Sequence, residues 1–233
     1  MGIGICVKLE SFDHVALWVS QRDVVAALLV EVCGMHVIAE APDFTLVGGD
    51  ARCGKLTLFD SEGRRDRGVL ERVVIRVPDL EDVQARVESW NGVAGWGGGA
   101  ALALDAPSNL RLGIVRGASE PVDLDHVVLR VPDPGATALA LASLGLERDA
   151  DRLRVGNRYL ALRRGELEDG PNPLLNHLAF LVDSADAAAD EAREWGLEID
   201  RVVDAANTRA IFVWGPDRIR IELVEHKPSF SLV

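Results

Sequence analysis

The sequence predicts an α+β fold built from four copies of one strand–helix–strand–strand–strand (βαβββ) unit. The first observation is a segment that occurs four times: FDHVALWV (12–19), LERVVIRV (70–77), LDHVVLRV (124–131) and LNHLAFLV (175–182). The second is a helix-forming stretch after each copy. The third is a series of short alternating runs, punctuated by Gly, Asn and Asp, after each helix. Repetition at a regular period indicates one supersecondary unit used several times.

The third residue of each copy aligns the repeats at His14, Arg72, His126 and His177. These positions are 58, 54 and 51 residues apart, so the period is nearly constant. Each copy is expected to form a β-strand, in which successive side chains point to opposite faces, so that one face differs in character from the other.

A turn and a helix are expected after each of these strands. Asp79, Asp133 and Ser184 are suited to cap the helices that follow them. Gly34, Gly145 and Gly196 are suited to helix C-termini. The predicted helices cover about 22–33, 79–90, 134–144 and 184–195, and the later strands of the last unit about 197–203, 206–214 and 218–225.

The segment VRGASEPV, at 115–122, is the best candidate for a linker between two halves. It divides the chain into an N-terminal module, 1–117, and a C-terminal module, 118–233, each with two units.

The composition narrows the range of partners. The net charge of −12 argues against nucleic acid and against anionic membrane surfaces. The N-terminal stretch MGIGICVKLE has no long apolar run, so neither a signal peptide nor a membrane span is expected there. Cys6, Cys33 and Cys53 lack metal-finger spacing and leave one cysteine unpaired, which favours a reducing, cytoplasmic compartment.

A carboxylate in a strand-like segment is the most informative single residue. In RIRIELVEH, at 218–226, Ile219, Ile221 and Leu223 share one face, and Glu222 lies on the other with Arg220. Glu222 therefore faces either water or a lined cavity.

The fourfold unit, the DHV and NHLAF segments and GPDRIRIELVE resemble the vicinal oxygen chelate superfamily. That group includes glyoxalases, bleomycin-resistance proteins and type I extradiol dioxygenases. The resemblance covers nearly all of 12–226. It implies two tandem cupped, barrel-like sheet modules, with metal ligands on the first and last strands of the units, facing into the cup.

The resemblance implies metal ligands at His126, His177 and Glu222, all in the C-terminal module. Two imidazoles and one carboxylate are typical of non-haem Fe(II) oxygenases, so Fe(II) is the expected metal, with Mn(II), Zn(II), Ni(II) and Co(II) as alternatives. A fourth ligand position corresponds to Leu162, which cannot coordinate. The N-terminal module offers only His14, with Arg72 and Gly113 at the other positions, so no complete site is expected there and His14 is predicted to be structural.

Other candidates follow from their place beside these ligands. Tyr159, Arg158 and His226 are predicted as catalytic proton or charge partners. The predicted substrate-binding residues are Arg130, Arg220, Phe212 and Trp214. No histidine lies between His126 and His177, where ring-cleaving relatives usually carry an acid–base histidine, so ring cleavage is left open.

The first functional hypothesis is a metal-dependent oxidoreductase resembling extradiol ring-cleaving dioxygenases, acting on a catechol-like or other vicinal-oxygen small molecule. One alternative is a glyoxalase- or isomerase-type metal-dependent lyase or epimerase. Another is a non-catalytic protein that binds small molecules such as drugs. The expected partners are a small, anionic or aromatic substrate and a second copy of the chain in a homo-oligomer, with no nucleic acid and no membrane.

Overall fold

A computed structural model of the chain describes residues 8–90, 94–98, 101–117, 121–167 and 170–231, with only the backbone described for 94–98. Most of the N-terminal stretch, including Cys6, and part of the predicted linker, at 118–120, lie outside these residues. The predicted α+β fold of four βαβββ units is confirmed. Among the described residues, no helix is both long and apolar enough to cross a membrane.

The strands follow the predicted order in every unit. They are β1 (Leu9–Val19), β2 (His36–Glu40), β3 (Phe44–Gly48), β4 (Lys55–Asp60), β5 (Leu70–Val77), β6 (Ala94–Gly98), β7 (Ala101–Asp105), β8 (Arg111–Arg116), β9 (Asp123–Val131), β10 (Glu147–Asp149), β11 (Arg152–Val155), β12 (Arg158–Arg164), β13 (Leu175–Val182), β14 (Ile199–Asp204), β15 (Thr208–Trp214) and β16 (Arg220–His226).

One helix follows the first strand of each unit, as predicted. The helices are α1 (Arg22–Ala27), continued by a π-helical segment (Leu28–Val32), α2 (Leu80–Ser89), α3 (Pro134–Ser143) and α4 (Ala185–Glu194). The side chains of Asp79, Asp133 and Ser184 accept hydrogen bonds from backbone N–H groups of the first turn, which confirms the predicted caps. Short 3₁₀ turns precede β8 and β16, at Pro107–Asn109 and Pro216–Arg218.

The strands form two eight-stranded sheets that pair the units in a different way from the prediction. The first sheet has the order β14-β15-β16-β13-β1-β4-β3-β2, so it joins the first unit to the fourth. The second has the order β10-β11-β12-β9-β5-β8-β7-β6 and joins the second unit to the third. The predicted boundary at 117/118 therefore falls inside the second sheet and does not separate the two sheets.

The pairing rule is the same in both sheets. The first strand of each unit pairs in parallel with the last strand of its own unit, and antiparallel with the first strand of a partner unit. Since all four units present the same kind of strand edge, the repeat itself does not choose the partner. The segments between units one and two and between units three and four also meet, because Leu174 N–H donates to the Asp66 carbonyl at 2.7 Å.

The outward faces of the sheets form one continuous apolar core with the helices. Phe12 of β1 and Phe180 of β13 are fully buried opposite each other in the first sheet, with ring centroids 4.9 Å apart. The helix α1 packs on β3 and β4, and α4 on β15 and β16. The opposite faces of the sheets are the inner faces of the two cups.

A bulge in the first strand of every unit shapes these inner faces. The bulged residues are Asp13, Glu71, Asp125 and Asn176, each one position before the aligned residue of the repeat. A bulge adds an unpaired residue and locally breaks the alternation of side chains. As a result, two consecutive polar side chains interact on the inner side of the sheet at these positions.

Candidate metal centre

Three side chains from three strands of the first sheet converge in its cup. His14 Nε2 and His177 Nε2 are 3.0 Å apart, and Glu222 Oε2 lies 3.3 Å from the former and 2.8 Å from the latter. His177 and Glu222 were predicted as ligands, whereas His14 was predicted to be structural. These residues are described below as the His14–His177–Glu222 cluster, which has the ligand types of a divalent metal site.

The distances in the cluster match the spacing of ligands around one ion. At metal–ligand distances of about 2.1 Å, neighbouring ligand atoms lie roughly 3.0 Å apart in an octahedron and roughly 3.4 Å apart in a tetrahedron. The three observed separations, 2.8 to 3.3 Å, therefore fit three adjacent corners of either polyhedron. The donor set fits a divalent transition metal, with further coordination positions left open.

Asp13 fixes the orientation of His14. The Nδ1 of His14 donates to Asp13 Oδ1 at 2.6 Å, which leaves Nε2 to face the cluster. The other oxygen of Asp13 accepts from Lys55 Nζ at 3.0 Å and contacts His226 Nε2 at 2.8 Å. The ring of Phe230 stacks on His226 with centroids 3.8 Å apart, so the C-terminal tail packs over this side of the cup.

Asn176 performs the same task for His177. Its Oδ1 accepts from His177 Nδ1 at 2.9 Å and from Arg220 Nη1 at 3.0 Å. Arg220 is held in turn by Asp200, to which its Nε donates at 3.1 Å. The ring of Phe212 lies edge-on to His177, with centroids 5.1 Å apart, and the Arg220 guanidinium lies over the same ring.

The charges in the cluster are strongly coupled. Burial disfavours the charged form of His14, but hydrogen bonds to Asp13 and Glu222 outweigh this and raise its pKa to about 9. Burial lowers the pKa of His177 to about 4, despite its bond to Glu222. Burial opposes ionisation of Glu222, but bonds to His14 and His177 lower its pKa to about 2. Without a metal, one proton on His14 thus balances the Glu222 carboxylate, and a metal ion held by this cluster would take the place of that proton.

A cavity of about 890 Å³ opens at the end of the first cup where β13 and β16 begin, and its lining includes none of the three cluster residues. It reaches Asn176 and Arg220, which contact each other next to His177. Trp18 and Trp214 contribute aromatic walls, and Arg218 stacks on Trp214 at 4.2 Å. The volume suits a small organic molecule, and the lining combines aromatic rings with three arginines and two aspartates, Asp200 and Asp217.

The prediction of His126 as a ligand is wrong for this cluster. His126 lies on β9 in the second sheet, where its Nδ1 bonds to Asp125 at 2.6 Å and its ring stacks on Tyr159 with centroids 4.3 Å apart. Because the first unit pairs with the fourth, the imidazole next to His177 is that of His14 instead.

The same correction applies to three further candidates. Tyr159 and Arg158 lie on β12 in the second sheet, and Arg158 is buried in a bidentate ion pair with Asp123. Arg130 also lies in the second sheet and contacts Glu71. These residues were expected beside the metal only because His126 was placed there.

The remaining predicted residues lie in the first cup. Arg220 and Trp214 line the cavity, and Phe212 is almost fully buried against His177. His226 contacts the same Asp13 carboxylate that bonds His14. The role of each residue in catalysis or substrate binding stays a prediction.

The fourth ligand position of the cup is also reassigned. Ala179 pairs with Glu222, and the corresponding pair in the first unit is Ala16 with Thr57. Thr57 thus occupies the fourth position in this cup. The equivalent residue of the third unit is Ala161, which pairs with Val128, so the comparison with Leu162 was one residue out of register. A threonine hydroxyl is not among the usual ligands of Zn²⁺ or related metals, so the expectation of three protein ligands is unchanged.

Sequence reasoning did not find the roles of Asp13, Asn176 and Lys55. The signal for the first two is the residue just before each aligned histidine, in Asp13-His14, Asp125-His126 and Asn176-His177. An acceptor one residue before an imidazole is able to bond its Nδ1 when a bulge turns both side chains to one side. Lys55 gave no such signal, because its partner is 42 residues away.

Several proteins of known structure have a fold similar to that of this chain. Glyoxalase I from Zea mays superposes with a TM-score of 0.72 at 18% identity, covering 92% of each chain. A Bacillus subtilis protein provisionally named a dioxygenase gives a TM-score of 0.76 at 20% identity, covering 97% of this chain and 88% of its own. The cppA protein from Streptococcus pneumoniae gives a TM-score of 0.69 at 15% identity, covering 94% of this chain and 99% of its own.

The chain has the fold of the vicinal oxygen chelate superfamily. At these identities the similarity shows the fold and does not extend to the activity. Catechol dioxygenases superpose with TM-scores of only 0.40 and 0.41, which is too low to compare their sites with this one. No protein-family model matches the chain, and no curated protein matches its sequence.

Proposed function

We propose that the His14–His177–Glu222 cluster binds one divalent metal ion. On this basis the protein is a metal-dependent enzyme whose small substrate coordinates the metal through two neighbouring oxygens. The observation that carries the proposal is the convergence of Nε2, Nε2 and Oε2 within 3.3 Å, while Asp13 and Asn176 hold each Nδ1. Lone pairs in this arrangement repel one another unless a proton or a metal ion lies among them, and ligand atoms must be free of protons to bind a metal.

The preferred reaction class is dioxygenation of an extradiol type, with Fe(II) as the metal. Two imidazoles and one carboxylate are the ligand set of non-haem iron oxygenases, and they leave positions open for substrate and dioxygen. A bound divalent metal acts as a Lewis acid towards the substrate oxygens, and iron adds the redox capacity that an oxygenase needs.

The side chains of the cavity would select and orient the substrate. Arg220 places a guanidinium beside the cluster, fixed by Asn176 and Asp200, where it can face an ionised hydroxyl or a carboxylate. Trp18 and Trp214 offer flat apolar surfaces to a ring. A catechol-like anion fits this combination better than an aliphatic cation does.

Proton transfer has fewer candidates than the sequence suggested. Among the residues that the structure describes, His226 is occupied with Asp13, and Tyr159 belongs to the second cup. A substrate that enters already ionised needs no additional base in order to coordinate the metal. The expected substrate is therefore one with an acidic hydroxyl or enol.

A glyoxalase- or isomerase-type reaction is the second candidate, and the fold similarity to glyoxalase I from Zea mays favours it. The position compared with the fourth ligand of glyoxalases carries Thr57, so a carboxylate base is not available there. A non-catalytic, drug-binding role is the third candidate. It does not require two imidazoles oriented by Asp13 and Asn176.

The test is anaerobic reconstitution with Fe(II), followed by metal analysis and oxygen-uptake assays over a panel of catechols. The sharpest variant pair is His14→Ala and His126→Ala, because each histidine follows an aspartate that bonds its Nδ1 at 2.6 Å. We expect one metal per chain in the wild type and in His126→Ala, and loss of the metal in His14→Ala.

The outcomes separate the candidates. Bound metal with oxygen uptake supports the dioxygenase. Bound metal without uptake, but with turnover of α-keto hemithioacetals, supports the glyoxalase type. Absence of bound metal in the wild type would overturn the metal site itself, and loss in His126→Ala alone would restore the ligand set that the sequence suggested.

A further inference from the structure

The second cup has its own group of polar side chains, on strands equivalent to those of the metal centre. Arg72 stands at the position of His14, and the bulged Glu71 stands at the position of Asp13. Glu71 is 7% exposed, and its two oxygens contact Arg72 at 3.7 Å, Arg130 at 3.3 Å and Arg163 at 3.2 Å. These four residues are called the Glu71 arginine cluster.

The charges of this cluster do not balance. Three guanidinium groups share one carboxylate, and no second acidic partner of Arg72, Arg130 or Arg163 is found in the described part of the chain. The cluster therefore carries two excess positive charges in a protein whose net charge is −12. Like charges this close repel one another, and the repulsion is stronger in a partly buried site than in water.

The cluster also has hydrogen-bond donors left over. Arg72 Nε is buried without a hydrogen-bond partner among the described residues. A cavity of about 220 Å³ adjoins Arg72, and its other lining residues are Ala103, Leu104, Arg111 and Leu112. Arg130 and Arg163 are 40% and 61% exposed, so their remaining N–H groups are accessible from solvent. Buried donors without partners are costly, and an oxyanion would satisfy them.

We propose that the second cup is an anion-binding site, in which Arg72, Arg130 and Arg163 bind a carboxylate or phosphate group of a small metabolite. Glu71 holds the three guanidinium groups close together, and the anion neutralises the charge that Glu71 leaves unbalanced. Forked guanidinium donors match the geometry of both carboxylate and phosphate oxygens. The site is separate from the metal centre, so it does not depend on the proposed reaction.

The test is isothermal titration calorimetry and thermal unfolding with inorganic phosphate in one arm and benzoate in the other, at constant ionic strength. We expect at least one of these anions to bind and to raise the melting temperature. Arg163→Met and Arg72→Met should each weaken binding by about tenfold or more. In anion-free buffer, Arg163→Met should melt no lower than the wild type, because it relieves repulsion.

Arg148→Met is the matched control. Arg148 is an exposed arginine of the same sheet, but it pairs with the buried core residue Leu153 and so lies in register with the outer face. This variant loses the same charge and should bind the anion within twofold of the wild type. His14→Ala should also retain binding, which keeps a failure of the metal centre distinct from a failure of this site.

Three results would overturn the proposal. One is that neither anion binds the wild type. Another is that Arg72→Met and Arg163→Met bind the anion as the wild type does. The third is that Arg218→Met, in the first cup, abolishes binding, which would place the anion in the cavity beside the metal centre. A preference for phosphate or for benzoate identifies the chemical group of the ligand, and either preference supports the site.

Discussion

At the scale of single residues, the proposed metal site depends on which ring nitrogen of each histidine remains free after its neighbours have bonded the other one. The same Asp-His dipeptide occurs at His14 and at His126, and each Nδ1 is held at 2.6 Å by the preceding aspartate. Only His14 meets a second imidazole and a carboxylate. An aspartate therefore orients both rings in the same way. The two residues differ because Nε2 of His14 also lies beside His177 and Glu222.

The role of Asp13 is directly testable. Asp13→Asn keeps an oxygen acceptor but loses the charge that orients and polarises His14, so metal affinity should fall by about 10- to 100-fold. Equilibrium dialysis with Zn(II) or Fe(II) measures this loss. Asp125→Asn makes the same change beside His126 and should leave metal affinity unchanged. Equal losses in the two variants would show that Asp13 has no special role.

The metal-free protein should lose stability as the pH rises from about 6.5 to about 9. Despite burial, its bonds to Asp13 and Glu222 raise the pKa of His14 from the ordinary 6.5 to about 9, so its stabilising contribution is complete below 6.5 and disappears as the pH rises through 9. The free energy of unfolding should decrease by on the order of 3 kcal/mol over this window. Urea unfolding at a series of pH values measures the change.

His14→Asn is the control for this pH dependence. The variant lacks the titrating imidazole, so most of the loss between pH 6.5 and 9 should disappear from its profile. An unchanged slope in the variant would assign the pH dependence to another group.

At the scale of elements, the bulge before each aligned residue is the device that builds both cups. It brings Asp13 beside His14 and Glu71 beside Arg72, and it repeats at Asp125 and Asn176. Strict strand alternation puts one residue of each such pair on the outer face, in the apolar core. Alternation placed Glu222 on the inner face, where the structure has it, but missed Asp13 and Asn176 because the bulges break the alternation there.

The alignment of β1 and β13 also depends on their packing against the core. Phe12 and Phe180 are fully buried opposite each other, on the face away from the metal ligands. Phe180→Ala should reduce the free energy of unfolding by about 3–5 kcal/mol, because it leaves a cavity between the two strands. Chemical denaturation measures the loss. Phe44→Ala, on a partly buried ring at the edge of the core, should cost clearly less.

At the scale of the whole molecule, the decisive feature is that the first unit pairs with the fourth. This pairing brings His14 to within 3.0 Å of His177, although the two residues are 163 positions apart. The candidate metal centre is therefore assembled from the first unit and the fourth. The expectation that the chain forms a homo-oligomer stays a prediction.

The pairing can be tested by a disulfide between the outer units. Ser11 and Leu181 face each other across β1 and β13, at a spacing typical of antiparallel partners. Ser11→Cys with Leu181→Cys, in a background of Cys6→Ser and Cys53→Ser, should form a bond that peptide mapping by mass spectrometry detects. Failure to form under oxidising conditions, with a folded protein, would favour pairing of consecutive units.

The sequence by itself determined the four units, the order of their strands and helices, the helix caps and the types of side chain at each aligned position. These features are local, because they depend on alternation, turn residues and capping within one repeat. The proximity of His177 and Glu222 was also predictable, since both belong to the fourth unit and lie on neighbouring strands.

Only the tertiary structure decided which units share a sheet, and hence that His14, and not His126, lies beside His177 and Glu222. It also placed Arg130, Arg158 and Tyr159 in the second cup. The physical reason is that all four first strands offer equivalent edges to a partner. The choice among them depends on how the connecting segments pack, as where Leu174 meets Asp66, and no local pattern encodes that choice.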